Sequence, residues 1–328
     1  MMSDEHATAG GDGLDVVVTR REAAAEGVIN VELQAPDGGA LPPFTAGAHV
    51  DVHLPNGAVR QYSLCNPSHE RTRYELGILL EPDGRGGSRC AHERLAVGAR
   101  LRLGGPRNQF PLAEAPHTVL VAGGIGVTPL MSMAAELHGR GASFELHYCT
   151  RSPARAAFLE RLRRSPFGGC VHSHFDDGVP AQRFDPARLF AGVGYGTRLY
   201  VCGPAGFMDF VTGAAAEAGW PEARVHLEHF AGAAAPAAED GGFDVELARS
   251  GRVIHVGPDQ TVVEALTAGG VEVPLSCEQG ICGTCAMRVL DGEPDHRDMH
   301  FSDEERASGG WFTPCCSRAH SPRLVLDF

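Results

Sequence analysis

Lysine is absent from this chain of 328 residues, so all 28 of its Lys and Arg residues are arginine. Biased genome composition explains the absence most simply, but it still constrains the chemistry. Any site that binds a phosphate must use arginine, backbone N–H groups or hydroxyl groups. Acidic residues outnumber basic ones, and the formal net charge is −13. That charge disfavours nucleic acids and anionic membrane surfaces as partners.

Long apolar runs are also absent. No run reaches the roughly 20 residues that a membrane-spanning helix needs. Residues 1–13 lack the apolar core of a secretory signal, and their small and acidic side chains predict a disordered leader. These absences predict a cytoplasmic protein. In a reducing compartment, a pattern among the ten cysteines indicates metal or redox chemistry more often than disulfides.

The order of short elements predicts three folded parts. From 14 to 114, short β runs alternate with turns, which predicts a six-stranded antiparallel β-barrel. The predicted strands cover 16–19, 28–33, 48–54, 59–63, 74–80 and 100–103. From 115 to 230, β and α segments alternate, and this pattern predicts a parallel sheet with crossover helices.

The third part follows a stretch rich in alanine and glycine at 231–242, which is typical of a linker. Residues 243–328 predict a small module of strands around one helix. This module carries seven more acidic than basic residues. A solvated acidic surface and a docking face for a basic partner explain the excess equally well.

Four cysteines near the C-terminus carry the most specific chemistry. Cys277, Cys282 and Cys285 follow the C-x4-C-x2-C spacing of plant-type [2Fe–2S] proteins. Cys315 comes after 29 intervening residues and completes a set of four thiolates. Structural zinc sites favour two short cysteine pairs, and one such pair is present, so zinc and plain buried cysteines are the weaker interpretations. Cys316 stays open as a rival fourth ligand.

A second motif ends a predicted strand of the barrel. Arg60, Tyr62 and Ser63 combine a phosphate-binding guanidinium, an aromatic face and a hydroxyl that can hydrogen-bond a ring nitrogen. A flavin needs these groups, although an ordinary edge strand explains the short motif taken alone. Downstream, residues 86–88 precede a predicted helix and offer an anion site at its N-terminus. Together the two motifs predict a flavin site.

The Rossmann G-x-G-x-x-G fingerprint is absent from the second part, but a related turn is present. Residues 123–129 read Gly-Gly-Ile-Gly-Val-Thr-Pro and connect a predicted strand to a predicted helix. Thr128 suits the N-cap, and the free N–H groups there suit a pyrophosphate. Residues 202–204 form a second strand-to-helix junction at the same sheet edge, where ligands bind in open α/β folds. A tight turn and a small buried cysteine are the structural alternatives.

In this order, the motifs resemble the phthalate dioxygenase reductase and vanillate O-demethylase reductase group, from 14 to 328. Members of this group are single-chain reductases of Rieske-type oxygenases within the ferredoxin–NADP reductase superfamily. The matching stretches are 60–66, 84–88, 105–112, 123–129, 202–204, 277–285, 292–298 and 315–318. The resemblance implies a β-grasp ferredoxin fold for the C-terminal module.

The resemblance also implies FMN rather than FAD, and NADH as the electron donor. Carried over by position, the residues that would bind FMN are Arg60, Tyr62, Ser63, Leu64, Gly86, Gly87, Ser88 and Phe230. Those that would bind NADH are Gly123, Gly124, Gly126, Thr128, Cys202, Gly203 and Pro204. Ser63 and Cys202 are the candidate catalytic residues. Cys277, Cys282, Cys285 and Cys315 would bind the cluster, with Cys315 favoured over Cys316.

A hydride carries two electrons whereas a [2Fe–2S] cluster accepts one at a time, and a flavin can divide the pair. The resemblance thus implies NADH-dependent electron transfer through FMN and the cluster to a separate terminal Rieske non-haem iron oxygenase of an aromatic ring-hydroxylating or O-demethylating system. The protein is expected to be monomeric. A reductase serving a diiron oxygenase is one alternative, but such proteins usually carry the ferredoxin part first. A non-catalytic redox sensor is another, and rapid NADH-driven reduction of an artificial acceptor would exclude it.

Overall fold

The computed structural model describes residues 13–82, 84–192, 194, 196–230 and 241–328. Residues 1–12 of the predicted leader and residues 231–240 of the predicted linker lie outside these residues. The chain divides into two compact units, one ending at Glu228 and the other beginning at His229. Among the described residues, no helix is both long and apolar enough to cross a membrane.

The first unit begins with an antiparallel barrel. Its strands are β1 (Leu14–Ala25), β2 (Val28–Gln34), β3 (His49–His53), β4 (Val59–Ser63), β5 (Tyr74–Leu79) and β6 (Arg100–Leu103), with helix α1 (Gly87–Arg94) between β5 and β6. The strand order is β4-β3-β6-β1-β2-β5, and a bridge between Leu64 and Leu76 joins the two outer strands. All six predicted strands are confirmed. Aliphatic side chains from both sides of the barrel fill its interior, and each contributes roughly 1.5–3 kcal/mol by burial.

A five-stranded parallel sheet completes the first unit. Its strands and helices are β7 (Thr118–Gly123), α2 (Val127–Gly139), β8 (Phe144–Thr150), α3 (Leu159–Arg164), β9 (Val171–Phe175), α4 (Pro186–Ala191), β10 (Arg198–Cys202), α5 (Ala205–Glu217) and β11 (Val225–Glu228). Short 3-10 helices cover Gly124–Gly126, Pro153–Arg155, Gly168–Cys170, Pro180–Gln182 and Glu222–Arg224. The order β11-β10-β7-β8-β9 places β7 at the centre. The carboxyl ends of β7 and β10, where both predicted nicotinamide motifs begin, are therefore adjacent.

The second unit is a mixed sheet around one helix. Its elements are β12 (Phe243–Leu247), β13 (Arg252–Val256), α6 (Val262–Ala268), β14 (Met287–Asp291), β15 (Pro294–Asp295), α7 (Asp303–Ala307), β16 (Trp311–Phe312), β17 (Arg318–Ala319) and β18 (Arg323–Leu326). The strand order in this sheet is β13-β12-β18-β14-β16. Strands β12 and β18, the first and last of the unit along the chain, pair parallel to each other. This is the predicted β-grasp arrangement.

A buried arginine ties the second unit together. Arg318 is 2% exposed. Its guanidinium donates hydrogen bonds to the carbonyls of Gly241, Gly257 and Gln260 and lies over the Phe243 ring, 5.2 Å from the centroid. A buried cation is tolerated only with such partners, so this arginine fixes the start of β12 against the loop before α6.

Candidate functional site

The flavin motif of the barrel folds into a cradle for an anion. Helix α1 begins at Gly87, and Gly86 occupies its N-cap in a left-handed conformation with φ 81°. Its first turn carries no acidic side chain, so the free N–H groups and the helix dipole favour a negative charge. A Cβ atom at Gly87 would lie only 2.7 Å from Arg60 Nε. Arg60 therefore lies against the first turn of α1. Its guanidinium and the free N–H groups of that turn together fit a phosphate.

The other residues of the flavin motif have distinct surroundings. Burial raises the pKa of Tyr62 to about 12, although the nearby Arg60 opposes the shift, so the phenol stays neutral. The Ser88 hydroxyl accepts a hydrogen bond from the Glu81 N–H at 3.0 Å and closes the loop before α1. The Leu64 side chain is fully buried in the barrel core. Its predicted flavin contact thus falls to its backbone.

The two nicotinamide motifs pack directly on each other. A Cβ atom at Gly126 would lie 2.1 Å from the Cys202 carbonyl oxygen. A Cβ atom at Gly203 would lie 3.0 Å from the Gly123 Cα. These glycines are needed so that the two strand-to-helix junctions can approach each other. Gly124 has φ 55° and open space around its Cα, which leaves this turn accessible to a ligand.

The expected N-cap role of Thr128 is wrong. Helix α2 already begins at Val127, and Gly126 occupies its N-cap because the Gly124–Gly126 turn runs straight into the helix. Thr128 is 2% exposed, and its hydroxyl donates to the Ile125 carbonyl at 3.0 Å. The hydroxyl therefore stabilises the turn, and the predicted contact with a pyrophosphate is left to the backbone of the loop.

Both predicted catalytic residues meet at a carboxyl group that the sequence did not reveal. Cys202 ends β10 and is fully buried, and the parallel register places it beside Glu228 at the end of β11. The Ser63 hydroxyl, at the end of β4, donates to Glu228 Oε2 at 3.4 Å. A serine of the barrel, a cysteine and a glutamate of the parallel sheet thus form one polar cluster inside the first unit.

The chemistry of this cluster follows from its enclosure. Burial raises the pKa of Glu228 to about 8, and the Ser63 hydrogen bond opposes the shift. Burial also raises the pKa of the Cys202 thiol, and Glu228 raises it further. Both groups are therefore protonated at neutral pH. The sequence carried no local signal for Glu228, because its position beside Cys202 depends on the pairing of β10 with β11.

Phe230 lies two residues beyond the end of β11 and is partly buried. It falls at the start of the second unit, just after the boundary at Glu228. Its contact with a flavin stays a prediction.

The four predicted cluster ligands lie together in the second unit. Cys277, Cys282, Cys285 and Cys315 are each at most 8% exposed, and none of the four forms a disulfide. Cys277 Sγ accepts hydrogen bonds from the backbone N–H groups of Gln279 at 3.3 Å and Cys282 at 3.4 Å. Such N–H donors stabilise thiolate ligands. The donor set therefore fits a [2Fe–2S] cluster.

The expected preference for Cys315 over Cys316 as the fourth ligand stays a prediction. The Cys315 thiol interacts with the thiols of both Cys285 and Cys316. Cys316 Sγ contacts the Thr313 hydroxyl at 3.3 Å and the Ser317 hydroxyl at 3.8 Å. A Cβ atom at Gly280 would lie 2.4 Å from Cys316 Sγ, and the Gly280 backbone also hydrogen-bonds Cys315, so both sulfurs lie against the cysteine loop.

Fold and site together define a class: electron-transfer oxidoreductases with a ferredoxin-reductase unit and a plant-type ferredoxin module. Residues 245–320 match the model of the 2Fe-2S iron-sulfur cluster binding domain. Residues 108–225 match the N-terminal domain of the dimethylamine monooxygenase subunit DmmA-like family. The first match covers all four predicted cluster ligands and confirms the [2Fe–2S] assignment.

Comparison with individual proteins narrows the class. The chain is 51% identical to the vanillate O-demethylase oxidoreductase of Pseudomonas sp. strain HR199, over 96% of this chain and 99% of the relative. The solved phthalate dioxygenase reductase structure is 40% identical, with a TM-score of 0.79, over 96% of this chain and 98% of that one. An intact type IV self-sufficient cytochrome P450 monooxygenase is 41% identical in sequence, also with a TM-score of 0.79. This match covers 96% of the present chain but only 41% of the P450 chain.

The chain belongs to the phthalate dioxygenase reductase and vanillate O-demethylase reductase family, as the motifs predicted. It is an oxidoreductase, the reductase component of an oxygenase system.

Proposed function

We propose that this protein takes electrons from NADH and passes them, through FMN and its [2Fe–2S] cluster, to a separate terminal Rieske oxygenase. The relatives support the direction of transfer, since the phthalate dioxygenase reductase structure is described as modular for electron transfer from pyridine nucleotides to [2Fe–2S]. When bound, the flavin supplies the change from two-electron to one-electron transfer. The monomeric state and the cytoplasmic location stay predictions.

Different residues of the first unit would bind FMN and NADH. Arg60 and the N-terminus of α1 would hold the phosphate of FMN, and the neutral Tyr62 ring would cover part of its aromatic surface. Gly124 and the following turn would hold the pyrophosphate of NADH. Ser63 would then lie at the flavin and Cys202 at the nicotinamide, with Glu228 between them.

The observation that carries this proposal is the 3.4 Å hydrogen bond from Ser63 to Glu228, beside Cys202. It brings the end of strand β4, with Ser63 of the flavin motif, close to the ends of β10 and β11, where the nicotinamide motif at 202–204 begins. Because Glu228 and Cys202 are both protonated at neutral pH, no fixed negative charge there opposes the arrival of a hydride. Two cofactors bound to these motifs would therefore have their reactive ends adjacent.

The second unit presents a mixed surface beside the cluster loop. The Met299 N–H donates to the Gly280 carbonyl at 2.9 Å, and Met299 itself is 45% exposed. Helix α7 follows closely and begins with three acidic residues, of which Asp303 is fully exposed. An apolar centre with a charged rim is the anatomy of a transient protein interface. This surface would receive a partner with a complementary basic rim.

The test is to identify the flavin and to measure turnover. We expect mass spectrometry of the released flavin to give the mass of FMN, and NADH to drive rapid reduction of cytochrome c or ferricyanide. Release of FAD would refute the FMN assignment. Absence of turnover with NADH would refute the proposed function as a whole.

A cytochrome P450 is a second candidate for the terminal acceptor. The similarity to part of a self-sufficient P450 chain favours it, because that match is as strong in identity and TM-score as the match to the phthalate dioxygenase reductase. Electron delivery can be compared with a purified Rieske oxygenase and a purified P450 under the same conditions. Faster reduction of the P450 would replace the first candidate with the second.

A further inference from the structure

Three histidines and a glutamate gather at the outer edge of the parallel sheet, and the cofactor motifs use none of them. The register pairs His147 on β8 with His172 on the edge strand β9. Glu145 precedes His147 by two residues and His174 follows His172 by two, so all four side chains lie on one face. Glu145 and His172 keep part of their side chains exposed, at 24% and 47%.

The ligand atoms of three of these residues are close enough to share an ion. His147 Nε2 lies 3.2 Å from Glu145 Oε2, and His172 Nε2 lies 4.0 Å from the same oxygen. One ligand atom from each residue lies within 4.8 Å of the others. Zinc binds imidazole nitrogen and carboxylate oxygen at about 2.0–2.2 Å, which sets neighbouring ligand atoms roughly 3.4 Å apart in a tetrahedral site. The separation of 3.2 Å is close to that spacing, and the separation of 4.0 Å exceeds it by about 0.6 Å.

The surroundings of His147 give further evidence for a ligand. His147 is only 9% exposed, and its Nε2 lies 3.2 Å from Glu145 Oε2 without the geometry of a hydrogen bond. A metal ion held by both atoms would satisfy the buried nitrogen and the carboxylate together. The other ring nitrogen, Nδ1, hydrogen-bonds His174 Nε2 at 3.0 Å. Metal-binding histidines are commonly oriented by such a bond from the second nitrogen.

We propose that Glu145, His147 and His172 form a binding site for a divalent transition metal such as Zn²⁺, with His174 as the positioning residue for His147. Two imidazoles and one carboxylate suit Zn²⁺ and leave one coordination position open to solvent. The bound ion would link the edge strand β9 to β8, because the ligands come from both strands. It would therefore stabilise the outer edge of the sheet.

The test is a Zn²⁺ titration of the holoprotein against a chromophoric chelator, with visible absorbance recorded so that the cofactors are known to be intact. We expect wild type to bind one Zn²⁺ per chain at this site and His172→Gln to lose about 100-fold or more in affinity. His174→Gln should lose roughly 10–100-fold, as other outer-shell changes do. His255→Gln is the matched control, because His255 is an exposed histidine that contacts a single carboxylate, Asp244. It should bind like wild type.

Thermal unfolding gives a second readout. Zn²⁺ should raise the melting temperature of wild type and of His255→Gln but not that of His172→Gln, since only a ligand that binds the folded state stabilises it. Equal Zn²⁺ affinity in wild type and His172→Gln would overturn the proposal. A melting shift that survives His172→Gln would do the same.

Discussion

The carboxyl of Glu228 gives the sharpest test of the geometry between the two motifs. The substitution Glu228→Gln keeps the shape of the side chain and removes its titration. Burial raises the pKa of this carboxyl from the usual 4.5 to about 8. Between these two values the folded protein holds a proton that the unfolded chain has released. Stability is therefore complete below pH 4.5 and falls as the pH rises toward 8.

The size of the effect follows from that window. From pH 6 to pH 9 the contribution of Glu228 falls by about two pKa units, or about 2.7 kcal/mol at 1.36 kcal/mol per unit. The residue keeps some solvent exposure, so this figure is an upper bound. The variant has no such proton. Between pH 6 and pH 9, wild type should therefore lose up to this amount of unfolding free energy relative to Glu228→Gln.

Urea unfolding at pH 6 and pH 9 measures the shift. The chain has two tryptophans, Trp220 in the first unit and Trp311 in the second. Trp311 is 45% exposed, so a Trp311→Phe background leaves Trp220 as the reporter of the unit that contains Glu228. Glu217→Gln, at an exposed position in the same unit, is the control and should show no comparable shift.

A constant stability difference between the two pH values would refute the raised pKa and the enclosure of Glu228. Ser63→Ala provides an independent check of the same contact. The Ser63 hydrogen bond lowers the pKa of Glu228, so its loss should raise that pKa and extend the decline in stability to higher pH. An unchanged dependence of stability on pH in Ser63→Ala would show that the 3.4 Å hydrogen bond from Ser63 Oγ to Glu228 Oε2 does not affect the pKa of Glu228.

Three further predictions concern the cysteines, a glycine and the acidic surface. Cys315→Ser should abolish the visible absorbance of the cluster while Cys316→Ser keeps it; the reverse result would exchange the two assignments. Gly126→Ala should destabilise the first unit by about 1–3 kcal/mol in urea, because its Cβ would lie 2.1 Å from the Cys202 carbonyl oxygen. Gly139→Ala, with nothing within 4 Å, should be harmless by the same assay. Electron transfer to the oxygenase should slow as salt rises, and rates independent of ionic strength would argue against acidic docking.

The architecture was predictable where the sequence pattern is regular. Short apolar runs between clear turns predicted the six barrel strands, and cysteine spacing predicted the [2Fe–2S] domain. Strand β9 was missed because its sequence, Val-His-Ser-His-Phe, has the polar character of an edge strand. Thr128 was assigned to the N-cap because the sequence does not show that a 3-10 turn at Gly124–Gly126 starts the helix early.

The candidate site was predictable only where local motifs exist. Ser63 and Cys202 each belong to a recognisable stretch, but their meeting at Glu228 depends on the register of β10 and β11 and on the packing of the barrel against the sheet. A single glutamate at a strand end has no local signature. The histidine site is similar, because His172 lies 25 positions after His147 and only strand pairing brings the two together.

The central claim is that NADH reduces the cluster of the second unit by way of a flavin bound in the first. Anaerobic titration with NADH, followed by visible absorbance and electron paramagnetic resonance, tests it most directly. Wild type should show bleaching of the flavin and the signal of a reduced [2Fe–2S] cluster, whereas Cys285→Ser should show flavin bleaching alone. A cluster signal in the absence of flavin, or no cluster signal in wild type after NADH, would contradict the account.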